Sequence, residues 1–106
     1  MIFRRSGRFD DLVRTQLDLF TEGEADLLAE AESADDAWTR AGRDEAEELY
    51  GDYQLVVDAI GERLHDIRET YASALDDSTA EGYRAAFDRA ARERFGRYAA
   101  FLAGDD

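Results

Sequence analysis

Glu62 and His65 stand three residues apart, and Glu69 follows His65 by four. On a helix this spacing places the three side chains on neighbouring turns of one side. Carboxylate and imidazole are the donors that hold a divalent transition metal, so a metal site is the first chemistry to weigh. His65 is the only histidine, and the chain has no cysteine. Thiolate ligands, disulfides and a cysteine nucleophile are therefore excluded. No serine or threonine stands at a motif spacing from the histidine, and no glycine-rich phosphate loop occurs. The carboxylates are too numerous and too evenly spread for an acid/base pair to be singled out. The expectation is a protein that is not an enzyme, with no catalytic residue and no cofactor.

Glu62 and His65 resemble the Glu-x-x-His half-site of ferritin-like di-iron proteins, which use the motif twice per site. The single copy is similar to encapsulated ferritins, whose helical-hairpin chains complete the site by dimerisation with a glutamate of the preceding helix. That resemblance implies Glu32 as the further ligand, and a dimeric metal-binding protein as the alternative function. Within one chain the distances oppose it. A turn centred on residue 42 sets Glu32 level with about residue 52, some 15 Å from Glu62 along the helix. Measured from Tyr53, His65 projects about 120° and Glu62 about 180° away, toward solvent. Surface electrostatics among Glu62, Asp66, His65 and Glu69 is the ordinary explanation.

These residues lie in a strongly acidic chain. Twenty-six aspartates and glutamates against thirteen basic residues give a formal charge of −13 over 106 residues. Such a balance repels nucleic-acid backbones and anionic lipid surfaces, so neither nucleic acid nor membrane is an expected partner. Every basic residue is arginine, the pattern of GC-rich coding, with salt adaptation as a companion reading. No secretory h-region follows Arg4, Arg5 and Arg8, and no apolar run approaches a membrane span, so the expected location is cytoplasmic.

The elements that position the candidate residues are read from apolar spacing. Phe9, Val13, Phe20, Leu27, Ala31 and Trp38 share one face at about 100° per residue, predicting a helix over 8–40, kinked or split near Gly23. Ala46, Tyr53, Val57, Ile60, Leu64 and Tyr71 mark a seam over 44–76, opened by Asp44 and Glu47 as a capping box. Tyr83, Phe87, Ala91, Phe95 and Leu102 mark a third stripe over 79–102, capped by Ser78 and Glu81. Short turns make consecutive helices antiparallel. The predicted fold is one all-α domain, an up-down-up bundle of three long helices.

Three positions interrupt the pattern. Arg94 falls in the middle of the third stripe and is expected to pack its stem on the core while its head reaches an acidic group. Trp38 is expected to anchor one bundle end. Leu55 lies opposite the seam of the second helix, so either the first helix bends round to cover it or a second chain does. Small size, hairpin form and Trp38 with Gly42 near a turn resemble the helical-hairpin substrates of type VII secretion. Those carry Trp-x-Gly where this chain has Trp38-Thr39-Arg40-Ala41-Gly42, and no Tyr-x-x-x-Asp/Glu signal follows near the C-terminus, so the sequence is assigned to no family. The expected function is protein–protein interaction or self-association, with a homodimer through the Leu55 face.

Overall fold

The computed structural model describes residues 7–99, and among them every regular element is helical. Four α-helices and a terminal 3-10 turn follow in order: α1 (Asp10–Gly23), α2 (Ala25–Arg40), α3 (Arg43–Ala72), α4 (Asp77–Phe95) and Gly96–Ala99. No helix of the described residues is long and apolar enough to cross a membrane. The predicted first helix is thus two. Thr21 donates its hydroxyl to the Leu17 carbonyl at 2.8 Å, a back-bond that bends a helix, and Gly23 follows two residues later. Glu24 leaves helical geometry at φ −113°, ψ 31°, although its N–H still reaches the Phe20 carbonyl.

The other boundaries also shift for local reasons. Ala41 and Gly42 are extended and together turn the chain into α3, whose N-cap is Gly42 without a side-chain bond. Asp44 is therefore inside the first turn, favoured there by the helix dipole, and does not form the expected cap. At the next turn Asp76, two residues ahead of the expected Ser78, accepts the Thr79 N–H at 2.9 Å. That bond is the main reason the Asp76 carboxyl is held below its usual pKa. Gly96 stops α4 with φ 56°, a conformation that L side chains rarely adopt. The predicted stretch beyond 99, with Phe101 and Leu102, lies outside the described residues.

Length then decides the layering. At about 1.5 Å per residue, the 30 residues of α3 span about 45 Å and the 19 of α4 about 28 Å. α4 runs antiparallel along the second half of α3, as the Arg84–Glu69 and Arg68–Asp88 contacts show. α1 lies against the same half and parallel to α4: Phe9 meets Tyr83 and Phe20 meets Phe95, both edge-on near 5.5 Å. α2 pairs with the first half of α3, where Trp38 packs on Tyr50 and Tyr53. The molecule is a three-helix body carrying a two-helix hairpin, 53 Å in its longest dimension, rather than three helices of equal length.

Burial follows this division. Val13, Leu17, Ile60, Leu64, Tyr83 and Phe87 are the largest fully buried side chains, and all lie on α1, α4 or the second half of α3. The Tyr83 hydroxyl is kept satisfied inside by donating to the Gln16 side-chain oxygen at 2.8 Å, and burial pushes its pKa up. On α2 only Ala31 is buried, because a single neighbour covers one narrow stripe.

Candidate functional site

The four candidate metal ligands do not converge. Glu32 and Glu62 are exposed, while His65 and Glu69 are half-buried. The Glu24–Arg63 contact at 3.2 Å and the Trp38–Tyr50 packing fix the α2/α3 register. Glu32 then lies level with roughly residue 56, about 9 Å along the axis from Glu62. This is closer than a turn centred on 42 implies, because the paired residues place the centre of the α2/α3 register near 44. It is still beyond the reach of one ion. Among the described residues no group of three or more His, Cys, Asp or Glu is arranged to hold a metal.

Glu69 has a different role from the one its spacing implies. Its two oxygens receive Nε and Nη2 of Arg84, both at 2.9 Å, and Nε of Arg68 at 2.8 Å. The bidentate Arg84 contact, reinforced by Arg68, holds the Glu69 carboxyl down at about 2. Arg68 also donates from Nη1 to Asp88 at 2.8 Å. It is the one buried charged residue among those described, 6% exposed. Burial is the largest influence on Arg68 and opposes its charge, yet Asp88 and Glu69 outweigh it and raise its pKa. The cluster Arg68, Glu69, Arg84 and Asp88 clamps α4 to α3.

Arg68 is a functional position that apolar spacing does not single out, although its place on the helix carries a signal. Arg68 follows Leu64 by four residues and so falls on the α3 seam itself, while its acceptor Asp88 is adjacent to the core residue Phe87. Arg94 reaches Asp18 of α1 at 2.8 Å, its side chain one-third exposed, and so closes the edge between α1 and α4.

Two kinds of surface remain. Leu55 is 69% exposed on α3 and Leu19 63% exposed on α1. The first helix does not bend round to cover Leu55, because the break at Glu24 lets α2 follow the opposite, seam side of α3. Leu19 borders a shallow groove between α1 and α3 with Phe20 and Ile67. The second kind is a cleft of about 460 Å³ between α1 and α4, with Val13, Leu17, Ala86 and Ala90 below and Arg14, Arg89 and Arg94 along its sides. Asp10 and Glu93 also line it. Arg89 makes no ion pair among the described residues, and the Arg14–Asp11 contact at 3.1 Å is exposed.

Charge is divided as unevenly as burial. Residues 25–62, which include α2 and the first half of α3, carry twelve acidic side chains and two arginines. The hairpin thus holds most of the net charge, and the body is nearly balanced. Near the hairpin turn, Trp38 packs edge-on against Tyr50 with centroids 4.9 Å apart, and its Nε1 is enclosed with no hydrogen-bond partner among the described residues. The aromatic cluster closes this end, as expected of Trp38, at the expense of one unsatisfied donor.

No family model, no curated protein and no solved structure matches this chain.

Proposed function

We propose that this protein acts by protein–protein contact, foremost with further copies of itself, as a small acidic cytoplasmic helical protein without catalytic machinery. The observation that carries the reading is the incomplete layering of α3. Among the described residues α1 and α4 lie on its second half, α2 and the Gly96–Ala99 turn also pack on it, and Leu55 in its first half is 69% exposed. A two-helix hairpin buries little apolar surface by itself, and a further helix laid on it adds to what is buried. In this view a helix from a second copy lies on the face of α3 that presents Leu55. The clusters of polar residues support no competing chemistry. Glu69 and Arg68 are committed to joining helices.

Sedimentation equilibrium of the full chain at two concentrations tests this reading. A mass that exceeds the 12.0 kDa of one chain and rises with concentration supports it. A single-chain mass up to about 1 mM, where even weak specific contacts populate, refutes self-association.

A further inference from the structure

Before the break at Glu24, α1 carries more apolar surface than its core-facing side uses. Val13, Leu17 and Phe20 are buried, whereas Leu19 points away from them and is 63% exposed. Facing that edge, α3 presents Ile67, Tyr71 and Ala74 at spacings of four and three, the pattern of one helix side. Two hollows lie between the helices, about 300 Å³ at Leu19, Phe20 and Gly23 and about 470 Å³ at Thr70, Tyr71 and Ala74. Gln16 and Ile67 line both, so the two form one groove. It follows α3 from the level of Arg63, which meets Glu24 at 3.2 Å, to Ala74, a length of about 16 Å or three helical turns. A helix laid there would turn the three-helix body into a four-helix bundle.

Charge narrows what such a helix is. The charged residues lining the groove are both acids, Glu24 and Asp66. Asp66 is 83% exposed, and its nearest cationic group is the His65 ring at 3.9 Å, which is charged only when protonated. On the α1 side the exposed Glu22 follows Leu19 by three residues. The arginines of α1 and of the facing part of α3 are already engaged: Arg14 with Asp11, Arg63 with Glu24, and Arg68 with Glu69 and Asp88. With these pairs counted, the border of the groove is negative.

We infer that the α1/α3 groove receives an amphipathic helix of another protein, apolar along one side and bearing lysine or arginine on its flanks. Its apolar side lies on Leu19, Ile67 and Tyr71, and its cations meet Glu22 and Asp66. The Leu55 stripe of a second copy does not fit this place, because Asp52 and Asp58 beside it would arrive against the same acids. The groove is thus a second contact surface, independent of the self-association proposed above.

Three synthetic helical peptides of about 18 residues test this. All carry the same leucine and alanine stripe, and their flanks are lysine, glutamine or glutamate. Each is titrated into the isotope-labelled full chain and followed by amide chemical shifts. The lysine-flanked peptide is expected to bind at least about tenfold more tightly than the glutamine-flanked one, with shifts centred on Gln16, Leu19, Ile67 and Tyr71, and the glutamate-flanked one not to bind. Leu19→Lys and Asp66→Lys alter exposed side chains and are expected to keep the parent thermal midpoint, while each weakens the lysine-flanked peptide at least about tenfold. Leu55→Arg is expected to leave that affinity unchanged. Equal affinity for the lysine- and glutamine-flanked peptides, shifts spread over the acidic residues 25–62, no binding by any peptide, or binding unaffected by Leu19→Lys overturns the inference. Loss of the chain's own association in Leu19→Lys would make the groove an interface between copies and overturn it as well.

Discussion

Removing Asp88 is the sharpest test of how α4 is held. Asp88 supplies the acceptor for Arg68 Nη1 at 2.8 Å, and Arg68 is 6% exposed. In Asp88→Ala the guanidinium keeps Glu69 on Nε but loses the partner on its other side. Breaking a fully buried pair by deleting one member costs about 3–5 kcal/mol. The Asp88 side chain is 24% exposed, so water recovers part of this, and a loss of about 2–3 kcal/mol is expected. For a domain of this size that corresponds to a thermal midpoint lower by about 10–20 °C. Circular dichroism at the helical minimum, on heating and in urea, measures it. The control is Arg68→Met with Asp88→Leu, which replaces the pair by apolar groups and is expected to stay within about 1 kcal/mol of the parent or above it. A loss under about 0.5 kcal/mol in Asp88→Ala, or a double variant much weaker than the single one, would refute the picture of a buried cation fastened across α3 and α4.

Other consequences follow from the same geometry. Glu69 titrates at about 2 in the folded chain against 4.5 ordinarily, so its stabilising contribution is complete above about pH 4.5 and disappears as pH falls toward 2. Acid unfolding of Glu69→Gln should therefore be flatter over that window than that of the parent. Phe87, fully buried between Tyr83 and the core, is expected to cost about 3–5 kcal/mol when replaced by alanine, read from the urea midpoint. With twelve acids against two arginines, the hairpin is self-repelling. Amide exchange in α2 and the first half of α3 should slow as salt rises from ~0.05 to ~1 M, far more than in α4, whereas uniform slowing would contradict the charge division. Titration with Zn(II) or Fe(II) is expected to leave the thermal midpoint unmoved. A rise that disappears in His65→Ala would return Glu62 and His65 to consideration as ligands.

Helix type and approximate position were legible in the sequence because buried faces require apolar residues every three or four positions, and Tyr53, Val57, Ile60 and Leu64 keep that spacing. The break after Gly23 was legible as an interruption, but its form depends on the Thr21 back-bond, which composition does not reveal. Caps were harder: two plausible Ser/Asp-x-x-Glu pairs competed with nearby alternatives, and Gly42 and Asp76 prevailed at the two turns. The failure of three equal layers has a simpler origin. Periodicity reports which face of a helix is covered, whereas the point where α4 ends is set by Gly96 and its positive φ. Among the candidate site residues, spacing alone placed Glu69 with His65, while the arginines that occupy it come from its neighbour Arg68 and from Arg84 on another helix. Contacts across helices of this kind carry no local signature.

The most direct test is a dilution series of isotope-labelled chain, from ~1 mM to ~20 µM, followed by amide chemical shifts. Shifts are predicted to move with concentration along residues 48–62, around Leu55, and to stay fixed around Leu19 and Ile67. Spectra that superimpose at all concentrations, or changes centred on the Leu19 groove, would contradict the account.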